Sequence, residues 1–177
     1  MATRGLDKLG LGLALAPVTA AWSAPFVVYL ALLSNRIVWQ RIKGKTYMGD
    51  RSSKAPSTST PSPLSSDAST PTPHAPENDA LFIATRSHAN FLENVPLALT
   101  LAALAELNGA ISRRVLHGAL ATLLALRIAH VELGLRSHFR GRRSAGLGRA
   151  LGYYGTQVWL LAVAGWGAWG VRGVWGA

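Results

Sequence analysis

Three polar side chains, Arg86, Asn90 and Glu93, belong to a polar cluster that runs directly into an apolar segment of the chain. In a helix they occupy positions i, i+4 and i+7, so they share one face. A guanidinium can hold a carboxylate through two hydrogen bonds, an amide both donates and accepts, and a carboxylate can receive an ammonium group. Together the three side chains match a zwitterionic, amino-acid-like ligand.

The apolar segment after this polar stripe, residues 97–107, is too short to cross a bilayer, because a spanning helix needs about 20 residues. Counting back about 20 residues from Leu107 reaches His88, which puts Asn90 and Glu93 inside the span and Arg86 at its mouth. Polar groups are costly in lipid unless they face a protein interior or a wet cavity, so the stripe predicts a functional site. The alternative is interhelical hydrogen bonding without a ligand, worth only about 0.6 to 2 kcal/mol for each pair.

The composition points to a membrane protein. The chain has 177 residues, 49% of them hydrophobic, and a formal net charge of +10. The basic residues flank apolar runs and form no single basic face, which excludes nucleic acid as the expected partner. Because the chain has no cysteine, any thiol chemistry must come from a bound substrate. No second histidine or carboxylate has ligand spacing beside His130, so no metal site is predicted.

Four apolar segments predict an all-α, integral membrane four-helix bundle that crosses the bilayer several times. They cover residues 9–38, Ala80–Leu107, 115–135 and 147–171. Within the first segment, Ser23 and Pro25 predict a helix start, with the stretch around Pro17 as a separate leading piece. A signal peptide cleaved after Ala24 is the competing interpretation, but the apolar run resumes through Leu33, so we expect this segment to remain as helix one.

Residues 49–78 separate helix one from helix two and are dominated by serine, threonine and proline. Such a composition buries too little apolar surface to fold, so the sequence predicts a disordered loop inserted between residues 1–48 and 79–177 of one bundle domain. A passive linker is favoured over a phosphorylated regulatory loop. Lysine and arginine near the ends of the spans are more frequent around this loop, with Arg41, Lys43, Lys45, Arg51 and Lys54, and in the loop between helices three and four. Both loops are therefore expected in the cytoplasm and both termini on the other side of the membrane.

The other helices are expected to bring cations or hydrogen-bond donors to the membrane level of the stripe. These residues are Arg36 and Arg41 on helix one, Arg127 and His130 on helix three, and Arg149 and Tyr153 on helix four. Glu132 is expected to point away from the Arg127–His130 face. His130 alone is equally typical of a packed core histidine, and Arg149 alone of a surface anchor. At the opposite end of helix two, Glu106 is expected to cap or pair with a helix end.

One string is specific enough to indicate a family: Arg86, His88, Asn90, Glu93 and Pro96 at the spacing R-x-H-x-N-x-x-E-x-x-P. Weaker matches are Glu106-Leu-Asn-Gly109, Arg127-Ile-Ala-His130 and Arg149-Ala-Leu-Gly152. The pattern resembles the superfamily of membrane-associated proteins in eicosanoid and glutathione metabolism (MAPEG), and it is closest to the small bacterial and fungal members related to microsomal glutathione transferases.

The resemblance implies a homotrimer that binds glutathione as co-substrate between neighbouring subunits near the cytosolic face. By position, Arg86, Asn90, Glu93 and His130 match the family's glutathione-binding residues, and Arg149 matches the arginine proposed to stabilise the thiolate. Arg127, Tyr153 and a helix-one arginine, either Arg36 or Arg41, complete the expected binding set. Many members carry a tyrosine where this chain has Gly134.

The implied activity is that of a glutathione transferase or peroxidase acting on a lipophilic small molecule from the surrounding lipids. The implied location is the endoplasmic reticulum or another internal membrane if the source is eukaryotic. A guanidinium in a partly desolvated pocket lowers the pKa of a thiol from about 8.5 and so raises the thiolate fraction. A non-catalytic membrane scaffold that binds lipid or partners is the alternative.

Overall fold

The computed structural model describes residues 16–49, 79–136 and 145–174. Within these ranges the chain is all-helical and has no strand, which confirms the predicted all-α class. The long helices are α1 (Pro17–Gly44), α2 (Ala80–Leu107), α3 (Arg113–Ala129) and α4 (Ala145–Gly170). A π-helical turn, His130–Leu135, continues α3, and a short 3-10 turn, Arg172–Val174, follows α4. The predicted disordered loop lies, except for Gly49, outside the described residues.

Two of these helices are long and apolar enough to cross a membrane. They are α1, with 28 residues, and the continuous stretch Arg113–Leu135, with 23 residues. The remaining two, α2 and α4, pack against them in the same bundle. Two candidate spans are therefore found among the described helices, and the crossing of the bilayer by all four stays a prediction.

The predicted start of helix one at Ser23 and Pro25 is wrong. α1 begins at Pro17, where proline is tolerated because the N–H groups of a first turn make no hydrogen bond within the helix. It runs unbroken through Pro25 to Gly44. Its first N–H groups donate to the carboxylate of Glu106: Val18 N lies 2.8 Å from Oε1 and Thr19 N lies 2.9 Å from Oε2. Glu106 thus caps a helix at this end of the bundle, as expected, but the helix that it caps is α1.

The core lies where all four helices turn one apolar stripe inward. The largest buried side chains include Phe26 and Leu33 of α1 and Leu116, Leu120 and Leu123 of α3. From α2 the core receives Phe91, Val95, Ala98, Ala102 and Ala105, and from α4 Trp159 and Val163. Large apolar side chains also cover the outside, among them Leu161 at 74% exposure and Trp169 at 66%. An apolar exterior around a packed core is typical of a protein that faces lipid or further subunits.

Candidate functional site

Polar side chains from all four helices meet at one end of the bundle, which we call the arginine end. It comprises the last part of α1 with Arg36, the first part of α2 with Asn90, the end of α3 with Arg127, and the start of α4 with Arg149. Contacts between helices connect these parts: Arg36 bonds Glu132, Arg127 bonds Asn90, and His130 bonds the Arg149 backbone. Each of the four helices thus contributes a residue to this end of the bundle, and the common membrane level of their polar groups stays a prediction.

The α2 stripe of Arg86, Asn90 and Glu93 runs along a continuous helix, so the three residues share the face that their spacing predicted. Arg86 and Glu93 are exposed, and Asn90 is half-buried. Within residues 16–49, 79–136 and 145–174, the side chains of Arg86 and Glu93 have no hydrogen-bond or ion-pair partner. A guanidinium and a carboxylate are therefore presented at the outer surface of the protomer, where a ligand or a neighbouring subunit can reach them.

Arg127 connects three helices from inside the bundle. Its side chain is buried, with 2% of the residue exposed. The Nη1 atom donates to Asn90 Oδ1 at 2.8 Å, and Nη2 donates to the backbone carbonyl of Gly152 on α4. Because the Asn90 carbonyl oxygen is held in this way, the amide nitrogen of Asn90 is left as the donor available to a ligand.

His130 is also buried, and it faces α4. Its Nδ1 lies 3.2 Å from the backbone carbonyl oxygen of Arg149. The two helices approach so closely that a Cβ atom on Gly152 would lie 2.3 Å from the Cβ of His130. The structure therefore places His130 in the α3–α4 contact, where it fixes the height of Arg149 along the bundle.

Arg149 is exposed, and its backbone packs against Gly134 of the π-helical turn. A Cβ atom on Gly134 would lie 2.8 Å from Arg149 Cγ and 2.9 Å from Arg149 N, so a larger residue would displace Arg149 or tilt α4. Glycine at this position thus goes together with a close approach between the π-helical turn and α4. One turn further along α4, Tyr153 is exposed and packs edge-on against Tyr154, with 5.3 Å between the ring centroids.

The two candidate arginines of helix one have different surroundings. Arg36 Nη1 bonds Glu132 Oε1 at 2.5 Å, and Arg136 Nη1 bonds Glu132 Oε2 at 2.5 Å. Arg41 has only a long contact, 3.4 Å, from Nη2 to the backbone oxygen of Gly49. Its Nε is buried without a partner in the described residues. Arg36 is therefore engaged within the protomer, and Arg41 is the helix-one arginine that is left without an ion pair.

Sequence reasoning missed the role of Glu132. This carboxylate joins two guanidiniums and also lies 3.4 Å from the hydroxyl of Tyr29. The separation of Glu132 and Arg136 by four residues was the available signal, since such pairs face each other on a helix. The π-helical turn has wider turns than an α-helix, and Glu132 bonds α1 while His130 bonds α4. The expectation that Glu132 points away from the His130 face agrees with this geometry.

Comparison with known proteins gives one match. The family model described as MAPEG family matches residues 19–169, a range that includes every residue of the arginine end. No curated protein and no solved structure matches the chain. Within the described residues, no group of three histidine, aspartate or glutamate side chains is placed to hold a metal ion.

Proposed function

The chain belongs to the MAPEG family, and from this premise we propose that it is a glutathione-dependent membrane transferase or peroxidase. The family is membrane-associated and acts in glutathione and eicosanoid metabolism, which fits the two apolar helices and the apolar exterior. The proposed second substrate is a lipophilic electrophile that reaches the site from the bilayer. The proposed assembly is a homotrimer with glutathione bound between neighbouring subunits.

One observation carries the proposal: Arg86 and Glu93 are exposed and unpaired within the described residues, while Asn90 between them is fixed by Arg127. If the stripe served only to join helices of one protomer, its charged members would be paired within that protomer. Unpaired charges at membrane depth are costly, so the stripe favours a hydrophilic ligand between subunits. Its two charges of opposite sign suit the carboxylate and ammonium groups of glutathione.

The chain's residues divide the work as follows in this proposal. Arg86 holds a carboxylate of glutathione, Glu93 receives its ammonium group, and the amide nitrogen of Asn90 donates a hydrogen bond. Arg41 adds a second cation from α1, and Tyr153 adds a hydroxyl from α4. Arg127 and His130 act from behind, because both are buried and bond groups of neighbouring helices.

Arg149 is the proposed catalytic residue. A thiol with a pKa of about 8.5 is mostly protonated at neutral pH, and a guanidinium close to the sulfur stabilises the thiolate. The thiolate is the nucleophile that attacks the electrophile, and the same step begins peroxide reduction. The thiol proton leaves to water at the mouth of the site. In our proposal this mouth opens to the cytosol at an internal membrane, because basic loops stay in the cytoplasm.

A non-catalytic scaffold is the second candidate, and Gly134 favours it. Where the family pattern offers a tyrosine hydroxyl, this chain packs Gly134 against Arg149. Fewer hydrogen-bond donors then reach the ligand, and a site of this shape suits binding better than turnover. A thiolate absorbance that develops when glutathione is added to the purified protein distinguishes the two functions.

The decisive experiment compares three variants in nanodiscs. Arg149→Ala is expected to abolish the ultraviolet thiolate signal and the conjugation of 1-chloro-2,4-dinitrobenzene while assembly is retained. Glu93→Gln is expected to weaken glutathione binding about tenfold, the usual loss for one charge-assisted contact. Arg172→Ala, at the opposite end of α4, is the matched control and should behave as wild type. Wild-type activity in both Arg149→Ala and Glu93→Gln would overturn the proposed site.

A further inference from the structure

A cavity lies at the arginine end, inside the protomer, between α1 and α2. Its volume is about 150 Å³. The polar part of its wall is formed by Arg36, Gln40 and Arg136, and the apolar part includes Leu33, Ile83 and Ala84. All of these residues lie within the described ranges, and none belongs to the proposed glutathione site.

The charge of this wall is positive. Arg36 and Arg136 each bind the carboxylate of Glu132 through one Nη atom, so a single carboxylate balances two guanidiniums. A guanidinium has five N–H donors, which leaves donors on both arginines free for another acceptor. The described residues that line the cavity include no acidic side chain. Among the described residues, the wall therefore has one positive charge in excess, and an anion between the two arginines would balance it.

The rest of the wall sets the shape of that anion. Leu33 is almost completely buried, Ala84 is buried, and Ile83 completes the apolar part of the wall. A single water needs about 10 to 15 Å³ of such space, so the cavity holds about 10 to 15 non-hydrogen atoms. This volume matches a carboxylate on a short hydrocarbon chain, with the charged end at Arg36 and Arg136 and the chain along α2.

The cavity and the α2 stripe use different faces of the same helix. Ala80, Ala84 and Ser87 line the cavity, whereas Arg86 and Glu93 lie on the exposed face. At about 100° per residue, the centres of the two faces are roughly 100° apart around α2. A ligand in the cavity is therefore held within one protomer and does not compete directly with a ligand on the stripe.

We propose that this cavity is a binding site for a small amphiphilic carboxylate, of the size of a medium-chain fatty acid. Arg36 and Arg136 hold the carboxylate, Gln40 donates an amide hydrogen bond, and Leu33, Ile83 and Ala84 contact the hydrocarbon chain. The site does not depend on glutathione, and occupancy joins α1, α2 and the π-helical turn more firmly. The same charge pattern would also attract a phosphate group, so the experiment includes both.

The test uses octanoate, with the full chain in nanodiscs of zwitterionic lipid and titration by calorimetry against empty nanodiscs. We expect saturable binding of octanoate and none of octanol, which has the same chain without the charge. Arg136→Gln should weaken octanoate binding about tenfold, and Ala80→Leu, which fills the cavity from the first residue of α2, should abolish it. Arg172→Gln, remote from the cavity, is the matched control and should bind as wild type.

Glu132→Gln is the variant for which we expect octanoate affinity to increase. Loss of its negative charge leaves both guanidiniums uncompensated, so octanoate should bind several times more tightly. Equal binding of octanol would overturn the proposal, and so would unchanged octanoate binding in Arg136→Gln and Ala80→Leu. Binding of inorganic phosphate or of phosphatidylglycerol from nanodiscs, without binding of octanoate, would also overturn it. A glutathione titration of the same samples keeps the two sites apart, because Arg136→Gln should leave the thiolate signal unchanged.

Discussion

Arg127 and Glu132 lie five positions apart on one stretch of helix, and their charged groups have different kinds of hydrogen-bond partner. Arg127 is 2% exposed and has no carboxylate partner among the described residues; Asn90 and the Gly152 carbonyl accept its hydrogen bonds. Glu132 is about a quarter exposed and carries two guanidiniums. Because a buried guanidinium needs acceptors, Asn90 is fixed from inside the protomer, and only Arg86 and Glu93 remain to adapt to a ligand.

Replacement of Arg127 tests that coupling. Arg127→Leu replaces the buried guanidinium with a shorter apolar side chain; removal of the buried charge offsets part of the lost packing, so we expect the protein to stay folded. The Asn90 amide then loses the bond that orients it, and glutathione affinity should fall about tenfold. Titration of the thiolate absorbance with glutathione measures this loss.

Thr156→Val is the matched control for Arg127→Leu. Thr156 Oγ1 also donates to the Gly152 carbonyl, at 2.8 Å, but does not touch Asn90. Its glutathione affinity should equal that of wild type. Equal affinity in wild type and Arg127→Leu would show that Asn90 does not depend on Arg127 for its orientation.

At the scale of the elements, the apolar runs located four helices but did not locate all their ends. The ends of α2 agree with the prediction, Ala80–Leu107, because an apolar run and polar neighbours define them locally. The start of α1 was missed because its cap is Glu106, 88 residues away from Val18. No local pattern contains that contact. The change from α3 to a π-helical turn at His130 was missed for a similar reason, since a hydrogen bond from Arg36 of α1 and contacts with α4 accompany it.

The contact between α4 and the π-helical turn predicts that glycines on one helix differ in importance. Gly152→Ala would bring a Cβ within 2.3 Å of His130 Cβ and 2.7 Å of its Cα, so α4 must move away. We expect a loss of about 1 to 3 kcal/mol in the free energy of unfolding, as for other overpacked cores. Thermal unfolding followed by circular dichroism in nanodiscs measures the loss.

Gly165→Ala on the same helix provides the control, because no atom lies within 4 Å of its added Cβ. Alanine forms helices more readily than glycine, so this variant should equal wild type or exceed it by up to about 1 kcal/mol. If Gly152→Ala proved as stable as Gly165→Ala, the close α3–α4 approach would not exist in the membrane.

For the whole molecule, the arginine end brings together what the sequence separates. The last part of α1 and the first part of α2 meet there with the end of α3 and the start of α4. At the opposite end, Glu106 meets Val18 and Thr19. Counting basic residues predicted the α1–α2 and α3–α4 loops on one side of the membrane, and this placement stays a prediction. The face of the membrane on which these loops lie, and the number of helices that cross the bilayer, stay predictions.

Cysteine labelling of the whole molecule tests both predictions. The natural chain has no cysteine, so a single introduced thiol has no background. Ser65→Cys lies in the loop between α1 and α2, and Ser112→Cys precedes α3, so only α2 separates them. An impermeant maleimide added to sealed membranes should label Ser65→Cys from the cytosolic side alone and Ser112→Cys from the other side alone, because basic loops stay in the cytoplasm.

This pair bears directly on α2, which carries the polar stripe and is not one of the two helices found apolar enough to span. If both cysteines are labelled from one side, α2 does not cross the bilayer. Asn90 and Glu93 then do not lie at membrane depth, and their position gives no support for a site. If the sides are reversed, α2 crosses but the stripe opens away from cytosolic glutathione. Labelling of both positions after detergent lysis is the control that each thiol is reactive. Only opposite sides, with Ser65→Cys cytosolic, leave Arg86 at the mouth of a site that draws glutathione from the cytosol.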